Sequence, residues 1–576
     1  MTLSRAFLGA FLCGALILPL TTACGAPAEE PRAEIAGVEL PAGLAEIVAR
    51  NRAIAFPPPR DDFWQAASGL LTPGLDREAD ARVAEILRRA PAAAFYGGRS
   101  YPAGTPGGVL SPAEAQADAL FFFDLLRQGY AGYGFFGGDD VFLPLRAAVL
   151  AGISAAGAEI AAGAFLSMLA DPLRGVIADN NFAIQSARFP APSLVPYMRE
   201  ELVIRRATDS FGQSFFQADF YGEPSRIAGA FLKDGTPVDC VVPTLSSEGE
   251  LLYTFGLLAE SGPMRRQDPI VMVDVLFERL RDGETSVHEL ILHKVNTPIP
   301  IARHFPLRRR DQGGIAALEN RSLWPALGDE SEARAALAEF RESGRSLRGA
   351  PAAILDMRWN SGGWAALARE WIAGFAGEDP GESPAFVSFA LDSLAAEALA
   401  ASASPWLPAA RADSGDDRVP GWISPEPAVG ALPNGLGASG LLADDSLLIV
   451  LVDGSVRGEA ERFLGYLMRM ENVLVVGANT YGALLTDGAV SAELPHSGLL
   501  VRLGSPRLNL RPDLSAFEGA GFMPDLWVHP RDSLERALAF IERHGVAPAG
   551  DLSAIPMPEK SCSIFISSRI CEIWPR

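Results

Sequence analysis

The stretch from Leu447 to Leu467, LLIVLVDGSVRGEAERFLGYL, decides the fold of this chain. Its first six residues, LLIVLV, have the length and composition of a buried strand, and the residues from Gly458 onward have helical periodicity. Asp453, Gly454 and Ser455 between them are typical turn residues. A strand therefore leads into a helix here, and the N–H groups at the start of that helix can stabilise negative charge at one point.

Further strands alternate with helices between residues 308 and 545. Ile354 to Met357 precedes a helical pattern from Trp364 to Phe375, and Val473 to Val476 is another short apolar strand. Continuous apolar strands that alternate with helices predict an α/β core with crossover connections. Residues 377–442 are rich in Pro, Ser, Ala and acidic residues, which predicts a long surface excursion.

Two other regions are predicted before this core. The pattern from 37 to 188 is helical, whereas residues 189–307 contain β-branched and apolar runs bounded by Gly, Asp and Pro. The predicted fold class is therefore α/β, with an N-terminal helical domain, a β-rich middle domain and a C-terminal α/β domain over 308–545. Residues 546–576 are predicted to be a tail.

The N-terminus predicts export. Arg5 precedes the apolar run Ala6 to Leu18, and small residues lead to Cys24, which together indicate a signal peptide over residues 1–23. The processing site resembles a bacterial lipobox, so Cys24 is the predicted lipidation site, with simple secretion as the alternative. Residues 24–36 suit a tether. We expect a lipoprotein in the periplasm or on the cell surface that meets the membrane only through its lipid anchor.

Composition and spacing exclude several classes of function. A formal net charge of −21 disfavours nucleic acid and anionic membrane surfaces as partners and leaves polypeptide partners open. Cys562 and Cys571 either pair as a disulfide or remain thiols, and the five cysteines show no metal-binding spacing. His288 and His293 in HELILH are five residues apart, whereas a zinc helix needs four, so no metal or cofactor is predicted.

Four segments resemble the tail-specific, or C-terminal-processing, serine proteases. Residues 453–467 are similar to the family's Asn-x-x-Ser/Thr-x-Ser-Ala/Asp-x-Glu sequence, with Gly458 at the nucleophilic serine and Glu461 at the final glutamate. The resemblance implies a core of the ClpP and crotonase type. The other three segments are ILDMRWNSGG (Ile354 to Gly363), VVGANTYGAL (Val475 to Leu484) and EGAGFMPDLWV (Glu518 to Val528).

The tricorn-like branch of that family, which uses Ser, His and Glu, is the one that this chain resembles more. Its pattern puts Asn181, in VIADNNF, at the base histidine and Glu518 at the orienting glutamate. Glu459 follows Gly458 as the acidic residue of that branch would, and Ala483 stands where the Ser-Lys branch has its lysine. The resemblance thus implies a catalytic site with substituted positions.

These substitutions favour a pseudoprotease as the first prediction. Glycine has no side chain to attack with, and a carboxamide does not accept a proton at neutral pH, so nucleophilic and general-base catalysis are both removed. The protein is then expected to bind a polypeptide in a degenerate cleft without cutting it. The residues predicted to line the cleft are Gly362, Gly363, Gly458 and Glu459.

The alternative prediction is an active serine-type peptidase of the same family. Ser455 would then be the nucleophile, with Glu518 in support. A serine at a strand-to-helix turn is more often a turn or cap residue that bonds the backbone. The discriminating feature is whether a histidine or lysine lies within hydrogen-bond reach of a hydroxyl at the site.

Overall fold

A computed structural model describes residues 40–58, 60–71, 76–89, 108–261, 269–295, 307–311, 314–323, 330–380, 386–403, 422–423, 447–470, 472–486, 488, 490–504 and 506–544. The predicted signal peptide and tail, including Cys24, Cys562 and Cys571, lie outside the described residues. Within the described ranges, no helix combines the length and apolar character needed to cross a membrane.

The region up to residue 188 is mainly helical. Ser111 caps the helix Pro112–Gly129 through a capping box with Glu114. Pro112 occupies the first helical position, which its fixed φ favours. The helices are α1 (Leu44–Ala55), α2 (Phe63–Leu70), α3 (Arg77–Arg89), α4 (Pro112–Gly129), α5 (Gly138–Ala155) and α6 (Ala162–Ala170). The short strands are β1 (Val109–Leu110), β2 (Ile160–Ala161), β3 (Ala183–Ile184) and β4 (Ala187–Arg188).

The middle region forms a seven-stranded antiparallel sheet. Its strand order is β11-β10-β7-β6-β5-β9-β8, and β11 also pairs with β5, so that five of the strands form a ring. The side chains inside this ring form a hydrophobic cluster of their own. The strands are β5 (Ser193–Thr208), β6 (Ser214–Phe220), β7 (Glu223–Leu232), β8 (Val241–Leu245), β9 (Leu251–Ser261), β10 (Ile270–Arg279) and β11 (Thr285–Lys294).

The C-terminal region alternates strands and helices, and the observed architecture confirms the predicted α/β fold class. Its helices are α7 (Glu330–Arg345), α8 (Ala365–Ala376), α9 (Leu394–Ala403), α10 (Glu459–Leu467) and α11 (Ser533–Arg543). Its strands are β12 (Arg308–Arg309), β13 (Ala316–Glu319), β14 (Ala352–Asp356), β15 (Val387–Leu391), β16 (Trp422–Ile423), β17 (Leu447–Val452), β18 (Val473–Gly477), β19 (Val490–Glu493), β20 (Leu500–Leu503), β21 (Arg507–Leu510) and β22 (Leu526–Trp527).

A six-stranded sheet of order β12-β13-β14-β17-β18-β22 positions the candidate site. Its strands from β13 to β22 are parallel, with β17 between β14 and β18. Every residue of β17 is buried, because one face packs against α8 and α10 and the other against α11. Parallel strands covered on both faces read as continuous apolar runs, which is why LLIVLV was diagnostic.

The helical region does not have a core separate from the C-terminal region. One hydrophobic cluster joins α4, α5 and α6 to residues of α9, β19 and β20. Strands β3 and β4 also complete a four-stranded sheet of order β19-β20-β3-β4. The helical region and part of the C-terminal region therefore share one hydrophobic cluster, whereas the middle region has a separate one.

The described residues within 377–442 include buried elements, so the predicted surface excursion is wrong for them. Strand β15 pairs with β21, and its Phe389 is fully buried. Ala395 and Leu399 of α9 are also fully buried in the cluster around α4. Alanine-rich composition led to the wrong interpretation, because small apolar side chains can pack closely in a core as well as lie at a surface.

A buried ion pair fastens α1 to the central sheet. Arg52 on α1 is 1% exposed and lies 2.7 Å from the carboxylate of Asp525. Asn51 donates to the same carboxylate at 2.8 Å, and so does the N–H of Val475 at 2.7 Å. Asp525 thereby receives donors from an N-terminal helix and from β18, and it gives the Pro-Asp of EGAGFMPDLWV a structural role.

We predict that Arg52→Ala lowers the free energy of unfolding by about 3 to 5 kcal/mol, because it leaves the Asp525 charge buried and uncompensated. The matched control is Arg50→Ala on the same helix, whose pair with Asp239 is exposed and is worth less than about 1 kcal/mol. Urea unfolding of both variants checks the difference. Equal losses would contradict the role given to Asp525.

Candidate functional site

The connection between β17 and α10 has a well-defined backbone. Asp453 follows β17, and its carboxylate accepts hydrogen bonds from the N–H groups of Ser455 at 2.9 Å and Trp359 at 3.2 Å. The N–H of Arg457 donates to the carbonyl of Asn360 at 3.2 Å. These bonds join the turn after β17 to the turn after β14, so the two turns lie side by side.

Gly458 begins α10 with φ of +57° and ψ of −127°. Glycine adopts this conformation readily, whereas a residue with a side chain would be strained in it. A Cβ atom placed on Gly458 would meet only the carbonyl oxygen of Ala483 within 4 Å, at 3.9 Å. The position that the resemblance gives to the nucleophile therefore has room for a side chain but carries none.

Glu461 holds the start of α10 against the loop that follows β18. Its carboxylate is fully buried, and burial raises its pKa. The two oxygens of Glu461 accept hydrogen bonds from four donors. This makes the glutamate a structural residue rather than a proton carrier. The donors are the N–H of Gly458 at 3.0 Å, the hydroxyl of Thr480 at 2.6 Å, and the N–H groups of Gly482 at 2.7 Å and Ala483 at 2.9 Å.

Glu518, the predicted orienting glutamate, bonds the backbone. Its carboxylate accepts hydrogen bonds from the N–H groups of Asn180 at 2.7 Å, Leu484 at 3.0 Å and Leu485 at 2.8 Å. Removal of the carboxyl group from water, and next the nearby charge of Asp179, raise its pKa well above the usual value. Here Glu518 links two backbone segments and orients no base.

Asn181, at the predicted base position, is fixed by two hydrogen bonds. Its side-chain amide donates to the carbonyl of Thr486 at 2.8 Å, and its N–H donates to the carboxylate of Asp179 at 2.7 Å. Asp179 is fully buried, which raises the pKa of its carboxyl group, and it also accepts from the hydroxyl of Tyr130 at 2.8 Å. The Asn181 amide therefore supports the local structure and supplies no proton acceptor.

The four positions that the sequence motifs single out converge around the start of α10. Glu461 bonds two of them directly, Gly458 and Ala483. Glu518 bonds Leu484, the neighbour of Ala483, and Asn180, the neighbour of Asn181. These positions thus lie close together, and they comprise two residues without a reactive side chain, one amide and one glutamate.

Ser455, the alternative nucleophile, lies in the turn before Gly458 and is partly exposed. Its N–H donates to the carboxylate of Asp453 at 2.9 Å, which closes the turn. In the described part of the chain, no hydrogen bond joins its hydroxyl to a histidine or a lysine. A serine–histidine contact does occur on β11, where Ser286 and His288 are 2.9 Å apart at the exposed surface.

Gly362 brings the turn after β14 into contact with α10. Its φ is +86°, and a Cβ atom there would lie 2.8 Å from the Arg457 carbonyl oxygen and 3.2 Å from the Glu459 nitrogen. Only glycine permits this approach. Gly363 follows it and is partly exposed. The backbone of the predicted binding residues is therefore close together.

Glu459 differs from the expected cleft residue in one respect. Its side chain is 6% exposed and lies 3.0 Å from Arg462 in a buried ion pair. The guanidinium of Arg462 in turn lies over the ring of Phe386 at 4.5 Å. The Glu459 carboxylate thus packs into the core, and only its backbone belongs to the turn at Gly458.

Two residues at the site were missed by sequence reasoning. Asp179 lies two positions before Asn181, and its role depends on contacts with Tyr130 and Thr486, which are distant in sequence. Arg457 precedes Gly458 and is exposed, but nothing in its immediate sequence marks it. For metal ions, the described residues contain no group of three His, Cys, Asp or Glu side chains able to bind one.

Comparison with known proteins gives matches in structure. No protein-family model and no curated protein matches the sequence. Solved structures similar to this chain include mature CPAF, with 12% identity, a TM-score of 0.34, and coverage of 77% of this chain and 99% of that chain.

Two further similar structures are proteases by title. The photosystem II D1 C-terminal processing protease has 14% identity and a TM-score of 0.31, with coverage of 74% of this chain and 97% of that chain. Tricorn protease has 10% identity and a TM-score of 0.28, with coverage of 75% of this chain and 37% of that chain. These matches assign no role to any residue of this chain.

The buried Asp453 gives the site a pH-dependent stability. Burial raises the pKa of Asp453 from 3.8 to about 6. Between about pH 4 and about pH 6 the folded state thus keeps a proton on Asp453 that the unfolded state releases. The stabilisation that this proton gives is complete below about pH 4 and is lost as the pH rises through about 6. Since one pKa unit corresponds to about 1.4 kcal/mol, wild type should lose about 2 to 3 kcal/mol relative to Asp453→Asn between about pH 4 and about pH 7.

Urea unfolding of wild type and D453N at several pH values measures this difference, because the other titrating groups are common to both proteins and cancel. The stability gap should shift steadily in favour of D453N as the pH rises. A gap that does not change with pH would mean that the pKa of Asp453 is the same in the folded and unfolded states.

Proposed function

We propose that this protein is an exported, lipid-anchored pseudoprotease that binds an unfolded polypeptide beside the start of α10 and does not hydrolyse it. The carrying observation is Gly458, which occupies the turn between a buried strand and a helix N-terminus and has no side chain. A helix start of this kind can hold a peptide carbonyl through backbone N–H groups. Binding then requires no attacking group.

The neighbouring residues support binding without cleavage. Asn181 and Ala483 replace the two bases used in the family, and Glu518 is committed to three backbone donors. Loss of a triad nucleophile lowers turnover by on the order of 10⁶, and the remaining members do not restore it because they act as a unit. The residual rate is too low for useful proteolysis.

The alternative of an active peptidase with Ser455 as nucleophile has weaker support. A serine needs an adjacent base to become nucleophilic at neutral pH. In the described ranges its hydroxyl has no histidine or lysine partner, and its N–H serves the turn with Asp453. We therefore keep this function only as an outcome of the experiment below.

Export is the second part of the proposal. It rests on the signal-like residues 1–23 and on Cys24 within a lipobox-like sequence. An anchored binding protein would hold its polypeptide partner close to a membrane surface. This part of the proposal is independent of the chemistry at Gly458.

We predict that wild type binds fluorescein-labelled, reduced and carboxymethylated lactalbumin without cutting it. Fluorescence anisotropy should rise with protein concentration, and electrophoresis of the same samples should show no fragments. Ser455→Trp places a large side chain beside Gly458 and should weaken binding about tenfold or more by occupying the space needed by the peptide. The control is Ser247→Trp, in the exposed turn between β8 and β9.

Two results would overturn the proposed function. One is the absence of any polypeptide binding by wild type. The other is covalent labelling of wild type by a fluorophosphonate probe that Ser455→Ala abolishes, since that would establish a reactive hydroxyl. Ser286→Ala is the matched comparison, because Ser286 already bonds His288 at 2.9 Å.

We predict that Cys24→Ser abolishes lipid attachment, because the thiol is the group that accepts the lipid. Metabolic labelling with radioactive palmitate in a bacterial host should mark wild type and leave C24S unmarked. Cys240→Ser is the matched control, since Cys240 is a buried free thiol. Labelling of C24S equal to that of wild type would refute the anchor.

A further inference from the structure

The side chain of Arg457 is not used by the proposed binding of peptide backbone. It leaves the turn just before Gly458 and is exposed to solvent, while its guanidinium lies 6.0 Å from the centre of the Tyr481 ring. Its backbone is fixed, because its N–H donates to Asn360 and its carbonyl accepts from Ala460. The side chain therefore starts from a fixed point beside the helix start.

No carboxylate in the described part of the chain pairs with Arg457. The nearest acidic residue that acts on it, Glu461, is buried and already bonded by four other donors. The chain has 70 acidic and 49 basic residues, so an acidic partner would be easy to supply. By contrast, Arg462, only five positions further on, is paired with Glu459.

Two more arginines add positive charge to the same place. Across β20, β3 and β4, Arg502 is opposite Ala183, and Ala183 is opposite Arg188. Side chains of directly paired residues lie on the same face of a sheet, so both arginines flank the small Ala183. The positive charges of Arg502 and Arg188 repel that of Arg457. An anion between these groups would relieve that repulsion.

We infer that Arg457 binds a carboxylate of the bound polypeptide, with Arg188 and Arg502 adding to the attraction. The site then selects chains that carry a carboxylate where they cross the start of α10, either an acidic side chain or the terminal carboxylate. Guanidinium groups suit this ligand because they donate two parallel hydrogen bonds to it. The inference rests on the proposed function, since it presupposes a bound polypeptide.

The test uses labelled peptides of Ala, Ser and Gly that differ in one group. One has a central Glu and an amidated end, one has Gln at that place and an amidated end, and one has Gln and a free terminal carboxylate. Wild type should bind at least one carboxylate-bearing peptide about tenfold more tightly than the neutral peptide at low salt. The tighter of the two identifies the source of the carboxylate, and added salt should reduce the preference.

The variants assign the preference to Arg457. Arg457→Met keeps the apolar stem and should abolish the preference, whereas Arg457→Lys should keep part of it because it retains a point charge. Arg281→Met, in the exposed turn between β10 and β11, should leave it unchanged. Circular dichroism spectra of all variants verify that they fold as wild type does.

The outcomes separate the two proposals. If wild type shows no carboxylate preference, or if R457M retains it, the inference is wrong while binding of carboxymethylated lactalbumin still supports the proposed function. If wild type binds neither lactalbumin nor any of the peptides, the proposed function fails, and the inference fails with it.

Discussion

The site depends on the hydrogen bonds that four donors make to the buried carboxylate of Glu461. One donor is the first N–H of the helix that follows β17, and the other three belong to the loop that follows β18. Parallel strands deliver both segments to the same edge of the sheet, but side-chain packing alone would not fix their mutual position. A single carboxyl group, whose two oxygens accept hydrogen bonds from four donors, fixes it. This geometry does not require any reactive group.

Enclosed acids recur through the same region, and each joins segments that are far apart in sequence. Asp525 joins α1 to β18, Asp179 joins the end of the helical region to the loop after β18, and Glu518 joins the same two segments from the other side. Removing a carboxylate from water is costly unless donors replace the solvent. Glu518 meets that condition with backbone N–H groups alone, whereas Asp525 and Asp179 combine side-chain and backbone donors.

Much of the C-terminal fold could be predicted from sequence because its strands are covered on both faces. LLIVLV coincides with β17, and the predicted helical start at Gly458 is the residue that caps α10. The motif positions also converge, since short segments of a parallel sheet bring their ends to one edge. Asp179 and Arg457 could not be found this way, because their roles arise from contacts across hundreds of residues or from exposure. The surface prediction was wrong for the described residues 386–403 for a related reason, because alanine-rich helices leave no strong apolar pattern.

The backbone at Gly458 also sets a cost for any other residue at this turn. With φ of +57° and ψ of −127°, any residue other than glycine there carries a strain of about 1 to 3 kcal/mol. A serine introduced there would bear that cost, and the amide of Asn181 would still supply no proton acceptor. Stability and catalysis therefore make opposite demands on this position: glycine relaxes the turn, whereas a nucleophile would strain it.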